Sequence, residues 1–113
     1  MISILIVDDE ESVRDSLYNW FLEDGYHVEC AEDAKIALSL LESKDFDIIL
    51  ADIKMPGMDG LEMLRRIKAR RKEAIVIMMT AFATVDTAVQ ALKDGAFDYV
   101  TKPFDADDLS HLI

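Results

Sequence analysis

Asp52 belongs to the stretch Ile48-Ile49-Leu50-Ala51-Asp52-Ile53-Lys54-Met55-Pro56-Gly57-Met58-Asp59-Gly60. An apolar run ends in the carboxylate of Asp52, a loop with one proline and two glycines follows, and a helical pattern begins at Leu61. A short apolar run that ends in a loop predicts a buried strand. Asp52 is therefore expected at the carboxyl end of a strand, which in open α/β sheets is the edge where ligands bind. An isolated aspartate in this place is more often a turn former or a helix cap, so a functional role depends on the rest of the chain.

The remainder of the chain alternates between strand and helix patterns. Apolar runs predict strands at 2–7, 26–30, 46–51, 75–79 and 97–101, and apolar residues at helical spacing predict a helix after each strand. Strands that alternate with helices run parallel, because each helix returns the chain to the same edge of the sheet. The second strand alternates apolar and polar residues and so belongs at a sheet edge. The sequence thus predicts one α/β domain with a flavodoxin-like fold: a three-layer sandwich of five βα units around a parallel sheet of order 2-1-3-4-5. The last helix, from Asp105, is expected to be truncated.

Composition limits the classes of function. The chain has 113 residues, is 51% hydrophobic and 31% charged, and carries a formal net charge of -11. This negative charge argues against binding of nucleic acid through its phosphates. The one cysteine, Cys30, excludes an internal disulfide framework and fits a reducing compartment. No apolar run approaches the ~20 residues of a membrane span, and no secretory signal pattern opens the chain, so a cytoplasmic location is expected.

Side chains that can bind a metal ion or take part in group transfer follow four of the predicted strands. Asp8 and Asp9 follow the first strand, Asp52 the third, Thr80 the fourth and Lys102 the fifth. Three carboxylates in one cleft repel each other unless a cation offsets their charge, and Mg²⁺ suits a site of few carboxylates. A hydroxyl and a lysine beside a metal-bound carboxylate can stabilise the negative charge on the oxygens of a transferred phosphoryl group. A carboxylate can itself be the nucleophile and form an aspartyl phosphate.

With Pro103 after the lysine, this set resembles the receiver domain of two-component response regulators, and the resemblance extends over the whole chain. It implies that Asp52 accepts a phosphoryl group from a phosphohistidine on a sensor histidine kinase. It also implies that Asp9, Asp52 and the backbone carbonyl of Lys54 bind Mg²⁺ directly, whereas Asp8 acts mainly through water.

The same resemblance implies roles for the residues near the fourth and fifth strands. Lys102, the Thr80 hydroxyl and backbone N–H groups near Ala81 would hold the phosphoryl oxygens. Tyr99, three residues before the lysine, matches the aromatic switch residue of the family. The peptide bond between Lys102 and Pro103 would be cis, the minority state for X-Pro bonds.

The segments 79–85, 91–99 and 102–105 are similar to receivers fused to sigma-54-dependent AAA+ transcription activators of the nitrogen-regulator type. This similarity implies that residues 1–113 are the amino-terminal receiver of a longer regulator with AAA+ and DNA-binding output domains. Phosphorylation would change the face formed by the fourth helix, fifth strand and fifth helix and so promote a homodimer. The receiver itself would bind neither nucleic acid nor membrane, and would catalyse only its own phosphorylation and dephosphorylation.

Three other functions were weighed against this one. A phosphohydrolase of the haloacid-dehalogenase type needs a second acid two residues after the nucleophile, where Lys54 stands. A flavin or nucleotide binder needs a glycine-rich phosphate loop, but the loop after the first strand is acidic and would repel phosphate. A degenerate, metal-independent receiver stays open in principle, although the pair Asp8-Asp9 argues against it. Lys54 itself is either a tuner of phosphoryl loss or an exposed loop lysine, and the sequence does not decide between them.

Overall fold

The computed structural model describes residues 1–81 and 83–102. In chain order the elements are β1 (Ser3–Val7), α1 (Glu11–Glu23), β2 (His27–Ala31), α2 (Ala34–Ser43), β3 (Ile48–Asp52), α3 (Gly60–Arg70), β4 (Ile75–Thr80), α4 (Val85–Lys93) and β5 (Asp98–Thr101). The ends that the sequence patterns predicted for the five strands lie within two residues of the observed ends. The predicted cis bond at Pro103 and the truncated helix from Asp105 lie outside the described residues. Among the described helices, none is long and apolar enough to cross a membrane.

All five strands are parallel, in the order β2-β1-β3-β4-β5. This confirms the predicted flavodoxin-like topology. The three central strands are apolar on both sides because helices cover both faces of the sheet. In contrast, the edge strand β2 exposes His27 and leaves Cys30 half-buried. Cys30 is therefore less buried than its position in a strand indicated, because an edge strand is covered less completely than a central one.

Two cores lie on opposite faces of the sheet. In β1, Ile4 and Ile6 point to the face covered by α1 and pack with Leu17 and Phe21. The alternate residues Leu5 and Val7 join the larger core, which α2, α3 and α4 cover. This two-residue alternation makes a three-layer sandwich, with Trp20 of α1 partly buried against the smaller core.

Side-chain caps and left-handed glycines set the helix ends. The carboxylate of Asp33 accepts a hydrogen bond from the Ile36 backbone N–H at 2.8 Å, and Asp59 caps α3 in the same way. Gly25 and Gly95 follow α1 and α4 with φ of 90° and 101°, a backbone conformation that costs glycine little. These local signals explain why the helix ends were predictable.

Helix α4 forms where its apolar spacing predicted it, but most of that apolar surface faces solvent. Val85 is 79% exposed, Val89 45% and Leu92 53%, while Phe97, just before β5, is 60% exposed. Ala91 is the one fully buried residue of this helix. A contiguous apolar surface of this kind is typical of an interaction face.

Candidate functional site

The carboxyl ends of the strands bring the predicted polar residues to one edge of the sheet. Asp8 follows β1, Asp52 ends β3, Thr80 ends β4 and Lys102 follows β5. The strand register pairs Thr80 with Thr101, so Lys102 lies directly beyond the end of β4. Its backbone N–H donates to the Thr80 carbonyl at 2.8 Å. The order of the strands thus places β1, β3, β4 and β5 side by side around this group of residues.

A lysine ammonium joins the acids at this edge. Lys102 Nζ lies 2.6 Å from Asp8 Oδ2, 3.1 Å from Asp52 Oδ2 and 3.5 Å from Glu10 Oε1. The side chains of Lys102, Asp8 and Asp52 are 10%, 0% and 6% exposed, respectively, whereas Glu10 lies on the solvent-exposed rim. One cation therefore serves two buried carboxylates and an exposed third, which leaves an excess of negative charge.

This excess of negative charge perturbs the acid at the end of β3. Burial raises the pKa of Asp52, and the charge of Asp8 adds to the increase, while Lys102 and the Lys54 backbone N–H oppose it. Burial alone would lower the pKa of Lys102, but its hydrogen bonds and charge interactions with Asp8 and Asp52 outweigh burial and raise it. Lys102 is thus held as a cation, and Asp52 is a buried carboxylate whose charge is incompletely offset.

Asp8 is fixed by contacts to every one of its polar groups. Its Oδ1 accepts from the Glu10 backbone N–H at 2.9 Å, and its carbonyl accepts from Arg14 Nη1 at 2.7 Å. Its own N–H donates to the Ala31 carbonyl at 3.2 Å. Because both carboxylate oxygens already have protein partners, Asp8 acts as an anchor for Lys102 and for the loop between β1 and α1.

The position of Asp52 depends on a close approach by Gly60 at the start of α3. Asp52 Oδ1 accepts from the Lys54 backbone N–H at 3.2 Å, which turns the loop back over the strand end. Gly60 donates its N–H to the Ile53 carbonyl at 2.9 Å. A Cβ atom on Gly60 would lie 2.1 Å from the Asp52 carbonyl oxygen, so only glycine fits there.

The acids at this edge form a set of oxygens suitable for a divalent cation. Asp8, Glu10 and Asp52 each offer a carboxylate oxygen, and these oxygens lie within 4.8 Å of one another. Hard oxygen ligands that are few in number fit Mg²⁺. Asp9, the predicted ligand, is exposed and is not one of these three, while Glu10 was not predicted. The sequence signal for Glu10 was the run of four acids after β1, within which the pattern does not show which side chain turns inward.

The predicted switch residues lie on adjacent strands. Thr80 is fully buried at the end of β4, and Tyr99 is half-buried in β5. The Tyr99 hydroxyl lies 2.8 Å from the hydroxyl of Thr87 in α4, a contact that the sequence did not suggest. Lys54 is exposed, in keeping with its loop position.

The basic run at the end of α3 makes structural contacts. Arg65 pairs with Asp94 at 3.1 Å, Arg71 donates to the Leu41 carbonyl at 3.0 Å, and Lys68 donates to backbone carbonyls beyond the helix end. The contacts of Lys68 and Arg71 satisfy backbone carbonyl groups, and the positive charges near the end of α3 complement the helix dipole.

The family model described as "Response regulator receiver domain" matches residues 4–113. The regulatory protein AtoC of Escherichia coli is 46% identical over 110 residues, which are 97% of this chain and 24% of AtoC. The DNA-binding transcriptional regulator NtrC of Salmonella typhimurium is 44% identical over 115 residues, again 97% of this chain and 24% of the relative. The chain therefore spans about a quarter of the length of these curated relatives.

Solved structures agree with the described topology. A CheY-like receiver domain protein from Methanospirillum hungatei superposes with a TM-score of 0.96 at 36% identity, over 99% of this chain and 90% of that one. The beryllofluoride-activated NtrC4 receiver domain, solved as a dimer, gives 0.93 at 36% identity, over 98% and 92% of the two chains. The response regulator TrrA of Thermotoga maritima, in complex with Mg²⁺ and beryllofluoride, gives 0.90 at 35% identity, over 99% and 96%.

Proposed function

Because the chain belongs to the response regulator receiver family, we propose that Asp52 is its phosphoacceptor and that a sensor histidine kinase is the donor. The observation that carries this proposal is the buried cluster in which Asp52 lies 3.1 Å from Lys102 and shares that lysine with Asp8. An Asp52 carboxylate oxygen attacks the phosphorus, the P–N bond to the donor histidine breaks, and the imidazole leaves with the bonding electron pair. The product is a mixed acyl phosphate on Asp52.

The residues around Asp52 then stabilise the transferred group. Lys102 supplies a positive charge to the phosphoryl oxygens, and the Thr80 hydroxyl and the backbone N–H of Ala81 supply hydrogen bonds. When bound, Mg²⁺ offsets the negative charge that accumulates between the acids and the phosphoryl oxygens. The domain thus catalyses only its own phosphorylation and dephosphorylation.

Asp52, the Lys54 carbonyl and the acids after β1 are the proposed Mg²⁺ ligands. Among those acids we retain Asp9 as the direct ligand. Asp8 Oδ2 already accepts from Lys102, and Asp8 Oδ1 accepts from the Glu10 N–H. Asp8 therefore contacts the metal through water rather than directly. Glu10 contacts Lys102 from the exposed rim and contributes mainly negative charge.

The proposed output of the domain is a change of its α4–β5 surface; the fifth helix that the sequence predicts from Asp105 lies outside the described residues. The exposed apolar side chains of α4 support this choice, because they form an apolar surface beside the switch residue Tyr99. We propose that Thr80 and Tyr99 transmit phosphorylation to this surface and that it then forms a homodimer.

At the level of the whole protein, the proposal is a cytoplasmic transcription activator of the sigma-54-dependent type. Residues 1–113 are its amino-terminal receiver, and AAA+ and DNA-binding output domains follow. The similarity to AtoC and NtrC, over about a quarter of their length, supports this arrangement. The receiver itself contacts neither nucleic acid nor membrane, in keeping with its net charge of -11.

Acetyl phosphate with Mg²⁺ tests the assignment of the phosphoacceptor. Mass spectrometry of the intact protein should show one added phosphoryl group that is lost in alkali, as an acyl phosphate is. Asp52→Asn should remove the label. The control is Asp45→Asn, which changes an exposed aspartate at the amino ends of the strands and should retain the label. Normal labelling of the Asp52 variant would refute the assignment, and steady consumption of acetyl phosphate without a labelled protein would indicate a phosphohydrolase instead.

A further inference from the structure

We propose that Thr87 is a positioning residue for Tyr99, and that the hydrogen bond between them sets the balance between the resting and the activated receiver. The proposal rests on the proposed function above, since it assigns a regulatory contact to the same site. Its basis is the 2.8 Å contact between the Tyr99 hydroxyl and Thr87 Oγ1.

The Thr87 hydroxyl has enough hydrogen-bond capacity for Tyr99 and for its contacts within the helix cap. Thr87 Oγ1 has Thr84 as its other partner, with the Thr84 N–H at 3.2 Å, the Thr84 carbonyl at 3.1 Å and the Thr84 hydroxyl at 2.9 Å. A hydroxyl has one proton to donate and two lone pairs that accept. If its proton goes to an oxygen of Thr84, the lone pairs accept from the Thr84 N–H and from the Tyr99 O–H. In this arrangement Tyr99 is the donor, and the capacity of Thr87 is fully used.

This bond connects the switch residue to the first turn of α4. Thr84 is the N-cap of the helix, and Thr87 is the third helical residue, which completes a reciprocal capping box with Thr84. Any reorientation of the Tyr99 side chain that moves its hydroxyl breaks a bond to this cap. The state of the β5 side chain is thereby transmitted to the start of α4.

Helix α4 is held lightly enough to respond to such a change. Ala91 is its only fully buried residue, whereas α3 buries Gly60, Met63, Leu64 and Ile67. A helix with few buried contacts shifts at low free-energy cost. One hydrogen bond at its first turn is therefore a substantial part of what fixes its position.

The size of the effect follows from the strength of a single hydrogen bond. The net contribution of a neutral intramolecular hydrogen bond changes an equilibrium constant by about two- to tenfold. Removal of the Thr87–Tyr99 bond is expected to shift the population away from the arrangement described here by this factor, because this bond is lost when the Tyr99 hydroxyl moves; we assign this arrangement to the resting receiver as part of the proposal.

A double-mutant cycle tests the proposal. Thr87→Val is isosteric but lacks the threonine hydroxyl, and Tyr99→Phe lacks the tyrosine hydroxyl. The third variant combines the two substitutions. Thr87→Ser keeps the hydroxyl and is the matched control. Backbone amide shifts of residues 88–90 are measured with Mg²⁺ alone and with Mg²⁺ and beryllofluoride, which define the resting and activated ends of the scale. Each single variant should shift the resting population about two- to tenfold, and the double variant should shift it no further than either single variant. The serine variant should have the same population as the wild type.

The outcomes separate this inference from the proposed function. Additive effects of the two substitutions, or a shift in Thr87→Val without one in Tyr99→Phe, would overturn the inference, because the effect would then come from the damaged cap alone. All variants should still gain one phosphoryl group from acetyl phosphate, since none alters the acids or Lys102. If the wild type took up neither phosphoryl nor beryllofluoride, the proposed function would fail. The same cycle, measured by amide exchange of α4 without ligand, would still show whether Thr87 and Tyr99 are coupled.

Discussion

Replacement of Lys102 by methionine tests the electrostatic account of the site. The substitution keeps an unbranched side chain of similar length but removes the ammonium that lies 2.6 Å from Asp8 and 3.1 Å from Asp52. Both carboxylates are buried and stay in place, because Asp8 is also held through its backbone and Asp52 is part of β3. The variant therefore holds two neighbouring buried acids without their cation.

The expected loss of stability follows from the burial of the partners. Breaking a buried ion pair by removal of one partner costs about 3–5 kcal/mol, because the remaining charge is left without compensation. The exposed contact to Glu10 adds only about 0–1 kcal/mol. Protonation of one of the two acids limits the penalty, so we expect a loss of about 3–4 kcal/mol at neutral pH without metal. A domain with a stability of about 5–15 kcal/mol remains folded after such a loss.

The pH dependence gives a second, independent signature. Without the cation that lowers it, the pKa of Asp52 should rise further above its value in the unfolded chain, so that the native state binds a proton that the unfolded state does not. Stability of the variant should then increase as the pH falls from about 7 toward the unfolded carboxyl pKa of about 4. In the wild type the raised pKa of Asp52 changes stability with pH in the same direction, but the change is smaller because Lys102 opposes the rise in pKa. The raised pKa of Lys102 means that its own contribution is lost only in alkaline solution.

Urea unfolding, followed by Trp20 fluorescence in EDTA at about pH 5.5 and pH 7.5, measures both effects. Lys93→Met, the same substitution at an exposed position of α4, is the control and should change stability by less than about 0.5 kcal/mol. Added Mg²⁺ should restore part of the loss in Lys102→Met, because the metal replaces the missing charge. A loss below about 1 kcal/mol that does not vary with pH would refute the view that Lys102 compensates two buried carboxylates.

Three further substitutions test the metal, the switch and the geometry of the acceptor. Asp9→Ala should weaken Mg²⁺ binding at least about tenfold in a fluorescence titration without loss of metal-free stability, because it also relieves repulsion between acids. A larger loss of affinity in Glu10→Ala would instead make Glu10 the direct ligand. Thr80→Ala should take up the phosphoryl group but leave the α4 amide shifts near their resting values, and a full shift would contradict its role in switching. Gly60→Ala should cost about 1–3 kcal/mol and slow labelling, since its Cβ meets the Asp52 carbonyl, and unchanged labelling would show that this strand end tolerates displacement.

The fold was largely predictable because its determinants are local or periodic. Strands buried on both faces are continuously apolar, and the alternating pattern of β2 identified it as an edge strand. Caps such as Asp33 and glycines such as Gly95 marked the helix ends. The convergence of Asp8, Asp52 and Lys102 then followed from topology alone, since parallel strands present their carboxyl ends at one edge.

The parts of the site that sequence reasoning missed depend on side-chain direction rather than on position in the chain. Asp8, Asp9 and Glu10 are consecutive acids, but the turn that Asp8 Oδ1 makes with the Glu10 N–H decides which of them face Lys102. The contact between Thr87 and Tyr99 joins two elements at atomic distance, and no periodicity encodes it. Such contacts become visible only when the rotamers and the phase of each helix are known.

Helix α4 shows how a correct secondary-structure prediction can leave the function of an element open. The spacing of Val85, Val89 and Leu92 predicts a helix whichever way it faces, and only the structure shows that these residues lie at the surface while Ala91 alone is fully buried. Core packing therefore contributes little to the position of α4, and its capping box and the bond to Tyr99 contribute correspondingly more. The well-packed core between the carboxyl ends of the strands and the exposed apolar face resists displacement. A change of charge at the strand ends is therefore expected to affect that face most directly through the side chain of Tyr99 in β5. The proposed bond between Thr87 and Tyr99 thus acts on the element that presents the apolar face.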